Sequence, residues 1–356
     1  MDFGAGDTLD LRGLTFAAAA TATLNGDTLT VTSGGTSESF VLEGDYTTPD
    51  GDPQKFEVVG YNDGTGTLRS AVQFSTDSSP TLDISASDVS GNNNGEFTLG
   101  EALTLSFAFS EEVNGFEAGD IALSSGTLVA GSLAQDASDP TRYTAKATFA
   151  GPGSVTVADG FYTDLAGQEG TGDSLAVQVV GTPKNDRITG TSGPDTLEGR
   201  DGRDTLSGGD GSDTLLGGND SDSLSGGAQD DRIVGGLGTD TLNGGAGADT
   251  LVFDTAPKSN NIDRIMAFVV ADDTIALDDA VFTALKDPSQ STPHGLAQGA
   301  FYVGSRAHDA DDRIIYNAST GALSYDVDGS GRGGAVQFAT FDPKVSGLSF
   351  SDFEVI

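Results

Sequence analysis

Cysteine and tryptophan are absent from the 356 residues, and only two methionines and two histidines occur. Without cysteine there are no disulfides, and no thiolate is available for zinc or for nucleophilic attack. Two histidines, His294 and His308, cannot supply the HExxH motif plus third histidine of a secreted zinc protease, and neither lies in such a motif. No GxSxG elbow is present. A Ser-His-Asp triad would have to borrow one of the two histidines, which sit in the polar segments Pro-His-Gly and Ala-His-Asp and are expected to be solvated. A carboxylate pair alone serves a glycosidase. However, small domains rich in glycine, serine and threonine, without tryptophan, make poor sugar clefts. The chain is therefore not expected to be an enzyme.

Basic residues are also scarce. Seventeen stand against 54 acidic ones, for a net charge of −37. Nucleic acid is not an expected partner, since binding it needs a basic surface. An anionic membrane surface is disfavoured for the same reason. No run of about 18 apolar residues exists, so no transmembrane segment is expected; the alanine-rich stretch at Phe16–Ala22 is too short. The opening, MDFGAGDTLDL, has neither a basic n-region nor an apolar h-region, so no Sec-type leader is expected.

Glycine is plentiful, with 51 residues, and it marks the stretch around which the chain is organised. From Gly181 to Val252 one nine-residue unit repeats eight times without a gap. The units begin at Gly181, Gly190, Gly199, Gly208, Gly217, Gly226, Gly235 and Gly244. The sixth position is always aspartate: Asp186, Asp195, Asp204, Asp213, Asp222, Asp231, Asp240 and Asp249. The eighth is always isoleucine or leucine, from Ile188 and Leu197 to Leu242 and Leu251. Glycine at positions one, two and four lets the backbone turn tightly through φ > 0. Such a turn points carbonyls inward, and the aspartate adds a carboxylate. A site of several oxygens, without nitrogen or sulfur, suits a hard cation, and flexible high coordination suits calcium better than magnesium. The last three residues of each unit form a minimal strand with one inward aliphatic. One unit buries almost nothing, so the units must stack. Two units per turn give a parallel β-solenoid of four turns. A solenoid that needs no metal is the alternative, but it would leave aspartates side by side at every turn.

The repeat resembles the RTX (repeats-in-toxin) family of secreted calcium-binding proteins. In that family one loop contributes the carbonyls of positions two and four with its aspartate. The loop two units later contributes the carbonyls of positions one and three with its own. The resemblance then implies one ion between Gly209, Gly211, Asp213 and Gly226, Ala228, Asp231, and another between Thr191, Gly193, Asp195 and Gly208, Asp210, Asp213. Along the block the same rule brings in Gly202, Asp204, Gly217, Gly218, Asp222, Gly235, Asp240, Gly244 and Asp249. Eight loops paired in this way allow six ions. Lys184, Asp220 and Gln229 replace the glycine of position four. Lysine and glutamine tolerate a left-handed backbone poorly, so the loops at 181–186 and 226–231 are expected to bind weakly or not at all. Asp213 is expected to serve two sites, and Asp249 to stand at the end of the stack. Residues 181–252 carry 13 acidic and 5 basic side chains, a balance of −8. Repulsion should hold the metal-free block unfolded, which makes metal binding and folding one event.

The flanks read as β-structure, so the fold class is all-β: a parallel β-roll, an Ig-like sandwich and flanking β-rich regions. In residues 1–78 strands are expected at Thr28–Thr32, Ser39–Leu42, Phe56–Val59 and Ala71–Phe74, with a hairpin turn at Asn25-Gly26-Asp27. Phe3-Gly-Ala-Gly-Asp-Thr-Leu-Asp-Leu echoes Phe268-Val-Val-Ala-Asp-Asp-Thr-Ile-Ala-Leu, a segment just after the repeats. Either the two N-terminal strands are free-standing or, as is expected here, the chain is the distal part of a longer protein. Residues 79–180 show about seven strands with sandwich-like spacing, including the alternating Leu103–Phe109. Phe107-Ala-Phe-Ser-Glu-Glu-Val-Asn-Gly-Phe-Glu-Ala-Gly-Asp-Ile and Phe161-Tyr-Thr-Asp-Leu-Ala-Gly-Gln resemble bacterial Ig-like repeats of surface adhesins, which act as spacers. Asp83, Glu101, Glu112 and Asp164 are read as solvated surface acids, with linker calcium as the alternative. Residues 253–356 resemble the C-terminal domain of serralysin-type proteases, which implies a β-roll cap. Asp326-Val-Asp-Gly-Ser-Gly reads as a hairpin turn rather than a calcium loop, because the distal glutamate is missing. Leu348-Ser-Phe-Ser-Asp-Phe-Glu-Val-Ile resembles an uncleaved type I secretion signal and also suits a last strand of the cap.

These resemblances imply a non-catalytic, secreted, calcium-binding RTX protein of surface or adhesin type, exported by type I machinery from a Gram-negative bacterium and folding on calcium outside the cell. Its partners would be the export machinery and a cell surface, a matrix or further copies of itself. Two alternatives stay open: an S-layer or matrix structural protein, and the export and stability tail of an extracellular enzyme whose catalytic domain lies upstream.

Overall fold

The computed structural model describes the backbone of six strands within residues 1–78, and residues 79–356 except 89–95, 166, 287–288, 290–292 and 331–333. The chain divides into two compact units, Met1–Ser79 and Pro80–Ile356. Among the described residues, no helix is long and apolar enough to cross a membrane.

The first unit holds two antiparallel three-stranded sheets. In one, Thr21–Asn25, Thr28–Ser33 and Thr36–Val41 follow in order. In the other, Leu68–Thr76 lies between Thr8–Asp10 and Gln54–Asn62. All four expected strands are present, and each runs longer than anticipated. Asn25 pairs with Thr28 across the expected hairpin; Gly26 and Asp27, which would form its turn, lie outside the described residues, as does Leu42.

The second unit opens with a sandwich. Gly126–Leu128, Arg142–Phe149, Ala102–Phe109 and Leu82–Ser87 form one antiparallel sheet, with Ala134–Gln135 also paired to Arg142–Phe149. Ala122–Leu123, Gly153–Val157, Asp173–Val180 and Glu96–Thr98 form the other, the last of these joining in parallel. Alternation along Ala102–Phe109 turns Leu103, Leu105, Phe107 and Phe109 into the core, as the period of two requires. Phe109, Phe116, Tyr143 and Tyr162 meet there edge to face, with centroids 4.8 to 6.4 Å apart. Of the four acids read as surface, Asp83 and Glu112 are exposed and Glu101 half-buried, but Asp164 is only 1% exposed. Its strand, Thr163–Asp164, pairs with Val113–Asn114, and its Oδ1 accepts the Gln168 N–H, so the side chain is drawn inward by its own turn.

After Val180 the chain winds into a parallel roll. Successive short strands alternate between two sheets, and each pairs with the strand 18 residues on. Ile188, Leu206, Leu224 and Leu242 stack in register in one sheet, and Leu197, Leu215, Ile233 and Leu251 in the other. Each repeat strand puts this one aliphatic into the interior, so the core within the repeats is two columns a single side chain wide, while Val234 and Val252 are buried in a separate cluster with Ala276. The repeats make four turns, but the roll does not end with them. Asp263–Met266 and Thr274–Leu277 add a fifth, through Ile265 and Ile275. Val336–Asp342 and Phe353–Val355 add a sixth, through Phe341 and Phe353. Between these turns, Phe301–Val303, Ile314–Asn317 and Ala322–Tyr325 extend the first sheet. Ala322–Tyr325 and Val336–Asp342 pair antiparallel, as the hairpin expected at the Asp326 segment requires; Gly331, the last residue of that segment, lies outside the described residues.

Both ends of the roll's core are covered by packed side chains. Aromatics close the C-terminal end: Phe253 and Phe282 against Phe338, Phe268 and Tyr316 against Phe341. At the other end Leu99 of the sandwich packs against both cores. A Cβ on Gly151 would meet the Thr189 carbonyl oxygen of the first roll strand.

A narrow column leaves little room for relaxation. Leu215→Ala should therefore lower the calcium-loaded stability by about 2–5 kcal/mol, the range for buried leucine truncation. Leu237→Ala, at a side chain 49% exposed, should stay within about 0.5 kcal/mol. Denaturant unfolding in excess calcium measures both.

Candidate metal centre

The loops between strands set the site. Position two has a positive φ in units three to eight: Arg200, Gly209, Gly218, Gly227, Gly236 and Gly245. Position four does the same at Gly202, Gly211, Asp220, Gln229, Gly238 and Gly247. Gln229 (φ 72°) and Asp220 (φ 73°) thus take the glycine conformation, so loop 226–231 keeps the common geometry that its sequence had put in doubt. Arg200 does so at position two, where sequence reading expected glycine. Loop 181–186 departs from the pattern, as Lys184 suggested, and so does loop 190–195: Thr182, Thr191, Lys184 and Gly193 are not left-handed. Position one is glycine for a different reason, a lack of space. A Cβ on Gly208 would collide with the Asp213 carboxylate and the Gly226 carbonyl oxygen. Gly199, Gly217 and Gly226 are hemmed in the same way by Asp204, Asp222 and Asp231 and by the carbonyls of Gly217, Gly235 and Gly244.

The aspartates form a ladder. The N–H of each donates to Oδ1 of the aspartate one turn on: Asp186 to Asp204, Asp195 to Asp213, Asp204 to Asp222, Asp213 to Asp231 and Asp222 to Asp240, each at 2.8 Å. Asp231 to Asp249 measures 3.0 Å. The second oxygen, Oδ2, of Asp204, Asp213, Asp222, Asp231, Asp240 and Asp249 is buried and has no hydrogen-bond partner. Each of these side chains is at most 3% exposed. A buried, unpaired carboxylate oxygen is strongly unfavourable. Six of them in file beside inward carbonyls form an oxygen-only cradle that a divalent hard cation neutralises, so the residues fit calcium. Burial pushes every one of these carboxyls upward: Asp222 to about 7, Asp231 and Asp240 to about 6, and Asp204, Asp213 and Asp249 in the same direction.

The structure places Asp213 Oδ2 and the Gly226 carbonyl oxygen beside Gly208, and Asp213 Oδ1 accepts the Asp195 N–H while its own N–H donates to Asp231 Oδ1. Asp195 is placed differently. Its Oδ2 accepts from the Thr191 N–H at 2.5 Å and the Thr191 hydroxyl at 2.9 Å. Asp210 is exposed, and its Cα is in register with Ala228. Asp249 does not end the ladder, because its N–H donates to Asp273 Oδ1 at 3.1 Å, and that of Asp240 to Asp263 Oδ1 at 3.0 Å. Sequence reading missed Asp263 and Asp273 because their spacing, 23 and 24 residues, breaks the period. The signal was the local one: Asp263-Arg-Ile265 and Asp273-Thr-Ile275 repeat the Asp-x-aliphatic step of the nonapeptide. Asp263 is 3% exposed, and burial together with the facing Asp240 charge pushes it up to about 8. Outside the roll, His308 Nδ1 lies 3.1 Å from Asp309 and 3.6 Å from Asp312. Asp312 Oδ2 already accepts the N–H groups of His308 and Asp309, closing that loop.

This geometry defines a parallel β-roll whose loops bind calcium, joined to a β-sandwich. Residues 180–215 and 216–251 match the RTX calcium-binding nonapeptide repeat, in blocks of four copies, and residues 76–180 match a bacterial Ig-like domain. The chain thus carries RTX repeats directly after a bacterial Ig-like domain, and calcium is the ion of its loops. The repeats mark it as a secreted calcium-binding protein. Among curated proteins, none matches the chain.

Two outcomes follow. In the metal-free fold the raised carboxyls hold protons that the unfolded chain releases near pH 3.8. The metal-free roll should therefore be most stable in acid and lose stability as pH rises toward 6–8. Calcium displaces the same protons, so its affinity should rise between pH 6 and 8; calorimetry at pH 6 in buffers of different ionisation enthalpy should show proton release. Second, Gly208→Ala should weaken calcium binding by displacing the Asp213 carboxylate. Gly193→Ala, which meets nothing within 4 Å, should leave the affinity unchanged in the same titration.

Proposed function

We propose that this chain is the calcium-folded, non-catalytic part of a surface or adhesin-type protein exported through a type I system of a Gram-negative bacterium. The observation that carries the reading is the file of six buried, unpartnered carboxylate oxygens. Such a stack is unfavourable without a cation, so the roll stays open where calcium is scarce and closes where it is abundant. Extracellular modules bind calcium with dissociation constants of roughly 0.1–1 mM, far above cytosolic levels.

The C-terminus supports export in an unfolded state. Phe353 and Val355 are buried in the last turn of the roll, paired in parallel with Thr274–Leu277. A signal built from these residues is readable only before the roll forms. The serralysin resemblance of residues 253–356 agrees with this placement, because the region closes the roll. The Ig-like sandwich sits directly on the N-terminal end of the roll and serves as a rigid spacer. The absence of cysteine supports a non-catalytic role, as do the two histidines, which lie apart: His294 is half-buried on a short strand paired with Val355, rather than in the solvated loop expected, and His308 is exposed.

Far-UV circular dichroism of the full chain against free calcium, with magnesium as control, tests the reading; hydrogen exchange locates the change. A cooperative gain of β-structure and of protection across 181–277, near millimolar calcium and absent with magnesium, is the expected result. Full protection of that segment in chelator would refute calcium-driven folding.

A further inference from the structure

The matched repeats end at residue 251, but the aspartate ladder runs two rungs further. The added rungs copy the repeat's two backbone bonds. Within the block, the N–H one residue past each aspartate donates to the carbonyl of the aspartate one turn earlier, as Thr205 does to Asp186 at 2.9 Å and Thr214 to Asp195 at 2.8 Å. Arg264 donates to Asp240 at 2.7 Å and Thr274 to Asp249 at 2.8 Å in the same way. Asp263 and Asp273 are 3% and 6% exposed.

Which carboxylates are left open is decisive. The Oδ2 atoms of Asp240 and Asp249 are unpartnered, with side chains 0% and 1% exposed. In the repeat geometry Oδ2 of an aspartate and the position-one carbonyl one turn ahead lie beside the same position-one glycine, as Asp213 Oδ2 and the Gly226 carbonyl oxygen do at Gly208. The open oxygens of Asp240 and Asp249 lie beside Gly235 and Gly244 of their own loops, and the N–H groups of the same aspartates donate to Asp263 and Asp273, so the carboxylates one turn ahead of them belong to the segments that carry Asp263 and Asp273. At the opposite end the corresponding oxygens are closed. Asp186 Oδ2 accepts the Thr182 N–H at 2.5 Å and its hydroxyl at 2.8 Å, and Asp195 Oδ2 is held likewise by Thr191. Threonine at position two avoids the left-handed conformation that residues 200, 209, 218, 227, 236 and 245 adopt, and so turns its N–H onto the carboxylate.

We propose that the calcium array is displaced one turn toward the C-terminus. Two positions lie outside the repeats, between the loop of Asp240 and Asp263 and between the loop of Asp249 and Asp273, and the forward positions of Asp186 and Asp195 are sealed by Thr182 and Thr191. The ladder stops after these two. Asp263 is in register with Ala339 in the next turn, and Asp273 Oδ2 accepts the Val269 N–H at 2.7 Å, a closure like that of Asp195. The last two ions would thus tie the repeats to the segment that leads into the cap.

The inference rests on calcium binding by the roll, and the test separates the two. The full chain, stripped with chelator and dialysed against millimolar calcium, is assayed for bound metal by atomic absorption. Asp263→Asn with Asp273→Asn should bind two ions fewer than the unmodified chain, whereas Asp186→Asn should bind as many. An ion lost from Asp186→Asn and none from the paired variant overturns the displacement while leaving calcium binding intact; an unmodified chain without calcium overturns both. Since a substituted chain can fail to fold, the unmodified chain crystallised from calcium gives an independent reading. Anomalous peaks beside Asp240–Asp263 and Asp249–Asp273, and none beside Asp186 and Asp195, are expected. Peaks confined to the pairs within 186–249 would sink the proposal.

Discussion

A buried carboxylate with one oxygen bonded and one bare is the constraint on which the roll depends. Along the stack Oδ1 of each aspartate satisfies a peptide N–H of the preceding turn, which fixes the register of the loops. The other oxygen is left without a donor. Each strand contributes a single aliphatic to a column one side chain wide, worth about 1.5–3 kcal/mol when fully buried. That gain is of the same order as the penalty for an unpaired buried polar group, so the metal-free stack has little margin. Calcium converts the same oxygens from a penalty into bonds. The glycines at position one follow from this, since the carboxylate and the facing carbonyl occupy the space a Cβ would need.

The ends of the stack matter as much as its middle. A solenoid exposes its core and unpaired strand edges where it stops. Here the sandwich covers one end through Leu99, and aromatic side chains around Phe338 and Phe341 cover the other. The C-terminal closure is built from residues far apart in the chain, because the sixth turn joins Val336–Asp342 and Phe353–Val355 to a fifth turn formed before residue 278. Its strands complete the roll only after the intervening segment has folded back.

The net charge of −37 fits the same picture. Self-repulsion among acidic side chains opposes the compact state, and bound cations offset it. Without cysteine, disulfides play no part in this stabilisation, and metal bonds take their place.

Periodicity made much of this legible. A strict nine-residue repeat with aspartate at position six and an aliphatic at position eight dictates a stacked roll and its ligand type, because no single unit can bury a core or neutralise its carboxylate. Alternation at Leu103–Phe109 similarly implied a half-buried sandwich strand. Tertiary structure decided what depends on neighbours outside the period. Gln229 accepts a left-handed backbone because the turns on either side impose it, whereas Thr182 and Thr191 bond their own aspartates and escape it. Asp164 reads as a surface acid, yet its turn folds it inward. Asp263 and Asp273 lie off the repeat spacing, and only the pairing of Asp263–Met266 and Thr274–Leu277 with the repeat strands reveals them as rungs. Local sequence specifies the unit and its chemistry; where the array begins and ends is set by which oxygens the folded neighbours leave without a partner.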